Sequence, residues 1–101
     1  MRQALDDPHN PAATIYSHKY VYKALNKREE FKGGKAIFMN PMQPIKCGGA
    51  PQKIMYLNDY DWREKGLFFD TKFISATPVL FPACAKFSDA LNRICDDRKI
   101  D

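Results

Sequence analysis

Two short apolar runs, separated by one helix-length segment, constrain this chain more than any other feature. Lys35–Met39 (KAIFM) reads as a buried strand. Asn40-Pro41 and Pro44 end it and hold the following loop extended. Pro51 fits the first turn of a helix, where its missing N–H costs nothing. Ile54, Leu57 and Asp61, with Met55 and Trp62 on the flank, carry that helix to about Lys65, and Gly66 stops it. A second strand follows at 67–69 or 71–76, with 71–76 favoured. Strands joined by a helical crossover run parallel.

A helix over roughly 18–30 precedes this unit, with Ser17 as its N-cap and Val21, Ala24, Leu25 and Arg28 on one face, until Gly33-Gly34 ends it. Thr77-Pro78 through Pro82 form a loop. A last helix begins near Pro82 with an apolar stripe of Phe87, Ala90, Leu91, Ile94 and Cys95, before a polar DDRKID tail. Residues 1–13 read as an irregular lead-in. The expected fold is therefore α/β, a partial Rossmann-like unit in the order helix-strand-helix-strand-helix. Parallel sheets are normally buried on both faces, and two strands with these helices do not cover both. Residues 1–101 are accordingly expected to form a single fragment of a larger protein, with dimerisation through the exposed apolar faces an open route.

Composition agrees. A chain of 101 residues supports one small domain, and 45% apolar residues exclude a mainly disordered one. Seven Phe, five Tyr and Trp62 are more aromatic surface than so small a domain needs. Net charge is +4, but both signs are scattered, which describes a solvated surface rather than a nucleic-acid footprint. Cys47, Cys84 and Cys95 have neither disulfide-framework nor zinc-site spacing, so no metal is expected. No stretch is apolar enough for a membrane span, and the first residues resemble neither a signal nor a transit peptide.

Chemistry concentrates in KCGGAPQK, residues 46–53. Cys47 stands just ahead of a helix N-terminus, where the dipole and unsatisfied N–H groups favour an anion, and the thiolate is the nucleophilic form. Lys46 beside it and Lys53 one turn inside are candidates for tuning that thiolate. Gly48 and Gly49 remove side chains next to the sulfur and permit close approach of a planar cofactor or a second sulfur.

The stretch from Lys32 to Gly66 resembles the mitochondrial-type sulfide:quinone oxidoreductases through the pattern xAIFxxPxxPxKCxGAPQKIMYL. The likeness extends upstream through YKAL (22–25) and downstream to KFSDALNRICDDR. It implies a two-dinucleotide-binding-domain flavoprotein containing FAD. It further implies oxidation of hydrogen sulfide to sulfane sulfur, reduction of ubiquinone, a small sulfur acceptor, and peripheral attachment to the mitochondrial inner membrane. By the same resemblance Cys47 matches one of two redox cysteines, and the second has no counterpart here. The glycine-rich FAD fingerprint is also absent, so the chain is expected neither to bind FAD alone nor to catalyse alone.

Other residues receive plainer readings. His9 and His18 are surface groups, Cys95 is structural, Cys84 a residue near a helix start, and Tyr56, Tyr60 and Trp62 pack against parts outside the chain. Two competing functions remain: a stand-alone small thiol or persulfide carrier using Cys47, and a non-enzymatic module that binds protein or nucleic acid.

Overall fold

A computed structural model describes residues 2–101 and divides the chain into two compact units, one ending at Lys32 and one spanning Gly33–Asp101. In the first unit, α1 (Arg2–Asp6) and α2 (Val21–Glu30) are joined by turns. The lead-in is thus partly helical, unlike the irregular segment its Pro and Asp residues imply. Lys23 accounts for part of the order: its ammonium donates to the carbonyls of Ala4 (2.8 Å), Leu5 (3.3 Å) and Asp7 (2.6 Å), the acceptors that a helix end leaves unsatisfied. Asp6 accepts from Lys19 Nζ (2.7 Å) and Tyr20 Oη (2.8 Å). These two bonds, Lys19 first, hold its carboxyl below the usual range. Ser17 shapes the turn before α2, its hydroxyl accepting the Lys19 N–H (3.3 Å) and its carbonyl the Tyr20 and Val21 N–H groups, but the helix opens only at Val21, with Tyr20 rather than Ser17 at its N-cap.

The second unit carries the expected architecture. β1 (Gly34–Asn40) and β2 (Phe69–Ser75) pair in parallel, with Ala36 opposite Thr71 and Phe38 opposite Phe73, and α3 (Ala50–Glu64) makes the crossover. α4 (Ala85–Arg98) follows. Pro51 lies in the first turn of α3. Gly66 ends that helix in the left-handed region (φ 69°), its N–H bonding Arg63 O and the Leu67 N–H bonding Trp62 O. Gly33 is demanded by close approach: a Cβ there would lie 2.5 Å from the Phe68 carbonyl oxygen, at φ 130°. Strand bounds moved modestly, β2 beginning two residues before the favoured window. α4 begins three residues after Pro82, with Cys84 at its N-cap, and runs through the first half of the tail that composition marks as polar, to Arg98.

α3 buries a different face from the one its aliphatic spacing indicates. Pro51, Gln52, Met55, Asn58, Asp59 and Trp62 are buried, whereas Leu57 is exposed. Trp62, expected to face parts outside the chain, stacks at 6.2 Å on Phe38 and edge-on at 5.5 Å against Phe69. Large aromatic area outweighs aliphatic periodicity here, because burying Trp62 against Phe38 of β1 and Phe69 of β2 removes more apolar surface. The covered sheet face holds Ala36 and Thr71; on the opposite face Ile37 (58%) and Met39 (63%) remain exposed beside Ile74. α4 does not bury its stripe, since Phe87 and Ile94 are exposed.

Asp59 joins three elements. Fully buried on α3, it accepts from Arg63 Nε (2.7 Å) and from Thr71 Oγ1 on β2 (3.0 Å), and it faces Arg98 Nη1 of α4 at 3.6 Å. Arg63 also donates to the Arg98 carbonyl, and Arg98 Nη1 to Tyr56 O at 3.3 Å. After α4 the chain turns through Lys99 (φ 55°) to β2, where the Asp101 N–H donates to Thr71 O (3.1 Å) and the Phe73 N–H to Asp101 O (2.6 Å). Lys72 and the Asp101 carboxylate close the contact at 2.6 Å.

Replacing Asp59 by Ala removes the carboxylate that Arg63, Thr71 and Arg98 share, and urea unfolding is expected to show a loss of about 1–3 kcal/mol, since both guanidinium groups keep carbonyl partners and reach solvent. A second outcome concerns Tyr56, whose hydroxyl is pushed well above its ordinary value by burial and by its contact with Cys95 Sγ at 3.4 Å. A phenol held neutral in the folded state supports stability fully below its unfolded pKa of about 10 and loses that support as pH rises beyond it. Tyr56→Phe should abolish the last step of an ultraviolet tyrosine titration and flatten the alkaline decline in stability.

Candidate thiol site at the carboxyl edge of the sheet

Parallel strands deliver both of their following loops to one edge, the usual place for a ligand in open α/β sheets. Here the loops are residues 41–49, between β1 and α3, and 76–84, between β2 and α4. They enclose a crevice of about 400 Å³ whose lining includes Asn40, Gly48, Gly49, Thr77 and Leu80. Gln52, in the first turn of α3, ties the start of that helix to the second loop by donating to the Leu80 carbonyl. Phe81 packs edge-on against Phe87 at 5.7 Å, fixing the second loop to α4.

Cys47 is exposed, immediately before the two glycines of the crevice and three residues before α3 opens. Its carbonyl accepts the Ala50 N–H at 3.2 Å, folding the chain into a tight turn that leads into the helix. Gly49 occupies the N-cap position with no side chain to satisfy the helix N–H groups. Cys47 therefore lies three residues ahead of the positive end of a fifteen-residue helix. Lys46 and Lys53 are exposed, one on each side of the turn. A Cβ added to Gly49 would meet nothing within 4 Å, and one added to Gly48 would meet only Gln43 Nε2 at 4.0 Å, so the chain leaves this flank open.

The remaining cysteines lie elsewhere. Cys84 is half-buried at the start of α4, and Cys95 sits on α4 against Tyr56. Among the described residues no group of three or more His, Cys, Asp or Glu side chains is arranged to hold a metal ion, and no helix is long and apolar enough to cross a membrane. Sequence reading missed the participation of Asn40 with Thr77, 37 residues further along the chain, and with Leu80 just beyond it. Only the position of Asn40 at the end of the first apolar run could have pointed to it.

No protein-family model matches the chain. It is similar to curated proteins named mitochondrial sulfide:quinone oxidoreductase. It is 42% identical over 95 residues to that of Schizosaccharomyces pombe, covering 92% of this chain and 20% of the relative. With the mouse protein (Mus musculus) it shares 38% over 91 residues, 84% of this chain and 19% of the relative. With that of Dictyostelium discoideum it shares 36% over 89 residues, 81% of this chain and 20% of the relative. The chain thus spans about a fifth of the length of the curated relatives it matches, as a fragment of such a protein would.

Exposure and helix position together set an order of reactivity for the three thiols. Iodoacetamide labelling with peptide mapping should modify Cys47 roughly ten times faster than Cys95, which is partly enclosed.

Proposed function

We propose that this chain is a segment of a mitochondrial, flavin-dependent sulfide:quinone oxidoreductase and that Cys47 is one of its redox cysteines. The observation that carries the reading is the placement of Cys47 within a segment similar to those enzymes: exposed, ahead of the N-terminus of α3, on the loop edge of a parallel sheet. The sheet face bearing Ile37, Met39 and Ile74 is then surface that the rest of the polypeptide covers. Peripheral attachment to the inner mitochondrial membrane and electron delivery to ubiquinone belong to that whole protein.

In this mechanism hydrosulfide attacks a sulfur bridging Cys47 and a second cysteine of the whole protein. A sulfur–sulfur bond forms to the incoming atom, the bridging bond breaks, and one cysteine departs as thiolate. The helix N-terminus favours that charge when Cys47 carries it, and Lys46 and Lys53 add to the positive field. The sulfane sulfur left on the other cysteine passes to a small acceptor thiol or sulfite. Gly48 and Gly49, where an added Cβ would meet nothing closer than 4.0 Å, leave the chain beside Cys47 open to approach by a planar ring. Bound flavin would supply the two-electron acceptor and pass both electrons to the quinone.

A chimera tests this directly. The matching fifth of the Schizosaccharomyces pombe enzyme is replaced by this chain, and sulfide-dependent quinone reduction is measured. Activity should persist in the chimera and vanish with Cys47→Ser; a chimera that stays active with serine there removes Cys47 from the reaction.

A further inference from the structure

Asp101 is bonded as a strand residue. Its N–H donates to the Thr71 carbonyl at 3.1 Å, and its carbonyl accepts the Phe73 N–H at 2.6 Å. A residue that bonds the carbonyl before and the N–H after its opposite number is in parallel pairing, so Asp101 stands opposite Lys72. The side chains agree, Lys72 Nζ lying 2.6 Å from Asp101 Oδ2. Ile100 is buried and Asp101 exposed, the alternation that a strand produces. The chain leaving α4 thus meets the outer edge of β2 in the direction of β1 and β2 themselves.

The pairing of β1 with β2 leaves that edge open. The Gly34 N–H donates to the Phe68 carbonyl and the Ala76 N–H to the Asn40 carbonyl, so Asp70, Lys72 and Ile74 turn their main-chain groups toward β1. Thr71, Phe73 and Ser75 turn theirs away. Asp101 takes the Thr71 carbonyl and the Phe73 N–H. The Phe73 carbonyl and the Ser75 N–H come next along the edge, and neither has a main-chain partner among the described residues. Beside them lies an open groove of about 410 Å³ whose lining includes Phe73, Leu80, Cys95, Ile100 and Asp101. A strand continuing from Asp101 along β2 passes through it.

We propose that the outer edge of β2 is the docking slot of a third parallel strand, entered at Asp101 and supplied by the same polypeptide in the whole protein. In this register the strand runs past Phe73, Ile74 and Ser75, bonds the Phe73 carbonyl and the Ser75 N–H, and lays alternate side chains in the groove beside α4. A second copy related by a twofold axis would pair antiparallel here, against the direction that Asp101 sets. Being parallel, the added strand ends at the edge where the 41–49 and 76–84 loops leave the sheet, and it brings a third loop there. The proposal rests on reading the chain as a segment of a larger enzyme.

Residue-resolved amide exchange in the Schizosaccharomyces pombe chimera and in the 101-residue chain tests it. Ile74, whose N–H faces β1, is the internal reference. In the chimera the Ser75 and Ile74 amides should exchange at similar rates, whereas in the 101-residue chain Ser75 should exchange at least about tenfold faster than Ile74. Iodoacetamide labelling of Cys95, which lines the groove, should slow by a similar factor from the chain to the chimera. A Ser75 amide that outpaces Ile74 in the chimera as it does in the chain overturns the proposal, as does equal labelling of Cys95 in both. Protection of Ser75 that grows with the concentration of the 101-residue chain also overturns it, giving the edge to a second copy. If that chain does not fold, as judged by circular dichroism, the ratio of Ser75 to Ile74 within the chimera decides alone. The same ratio is read in the Cys47→Ser chimera, so a protected Ser75 without sulfide oxidation, or the reverse, separates this proposal from the redox reading of Cys47.

Discussion

A single buried carboxylate organises the second unit. Asp59 has no access to solvent, and a charge in that position survives only when every lone pair is directed at a donor. Arg63, Thr71 and Arg98 meet that need from α3, β2 and α4, so the geometry satisfying the charge also sets the helices against the sheet. The hydrophobic contribution is comparatively small: Met55 and Trp62 lie behind the strands, yet much aliphatic and aromatic surface stays in water. Directional ionic contacts thus specify an arrangement that so thin an apolar layer would leave loose.

The candidate site follows from where parallel pairing sends the chain. Both strands point their carboxyl ends the same way, so the 41–49 loop and the 76–84 loop meet at one edge although a whole helix separates their parent strands. α3 starts at that edge because the crossover must return from it, and its N-terminus is presented where Cys47 lies. The crevice between the loops, the helix end and the exposed sulfur have one topological origin.

Much of this was legible in the residues. The parallel strand–helix–strand unit could be read from two apolar runs bracketing a Pro-initiated, Gly-terminated helix, since Pro51 and Gly66 act through backbone geometry that depends little on tertiary context. The exposed turn at KCGGAPQK was equally visible, because glycines and a helix start fix local chain direction. The face of α3 was not legible: Ile54 and Leu57 suggested one side, whereas Trp62 and Asp59 chose another through partners on strands and on α4. The short α1 escaped notice because the carbonyls at its end are satisfied by Lys23, many residues further along.

Local sequence therefore determined the element types after the lead-in, the stops and the position of Cys47 relative to its helix, all of which depend on a few neighbouring dihedral angles and side chains. Tertiary structure alone decided that Asn40, Ser75 and Thr77 would meet, that Asp59 would be sealed among two arginines and a threonine, and that the polar tail would return to β2. Those are contacts between residues distant in the chain. They are selected by the requirement that buried polar groups find partners, a condition satisfied only once the strands and helices are in place.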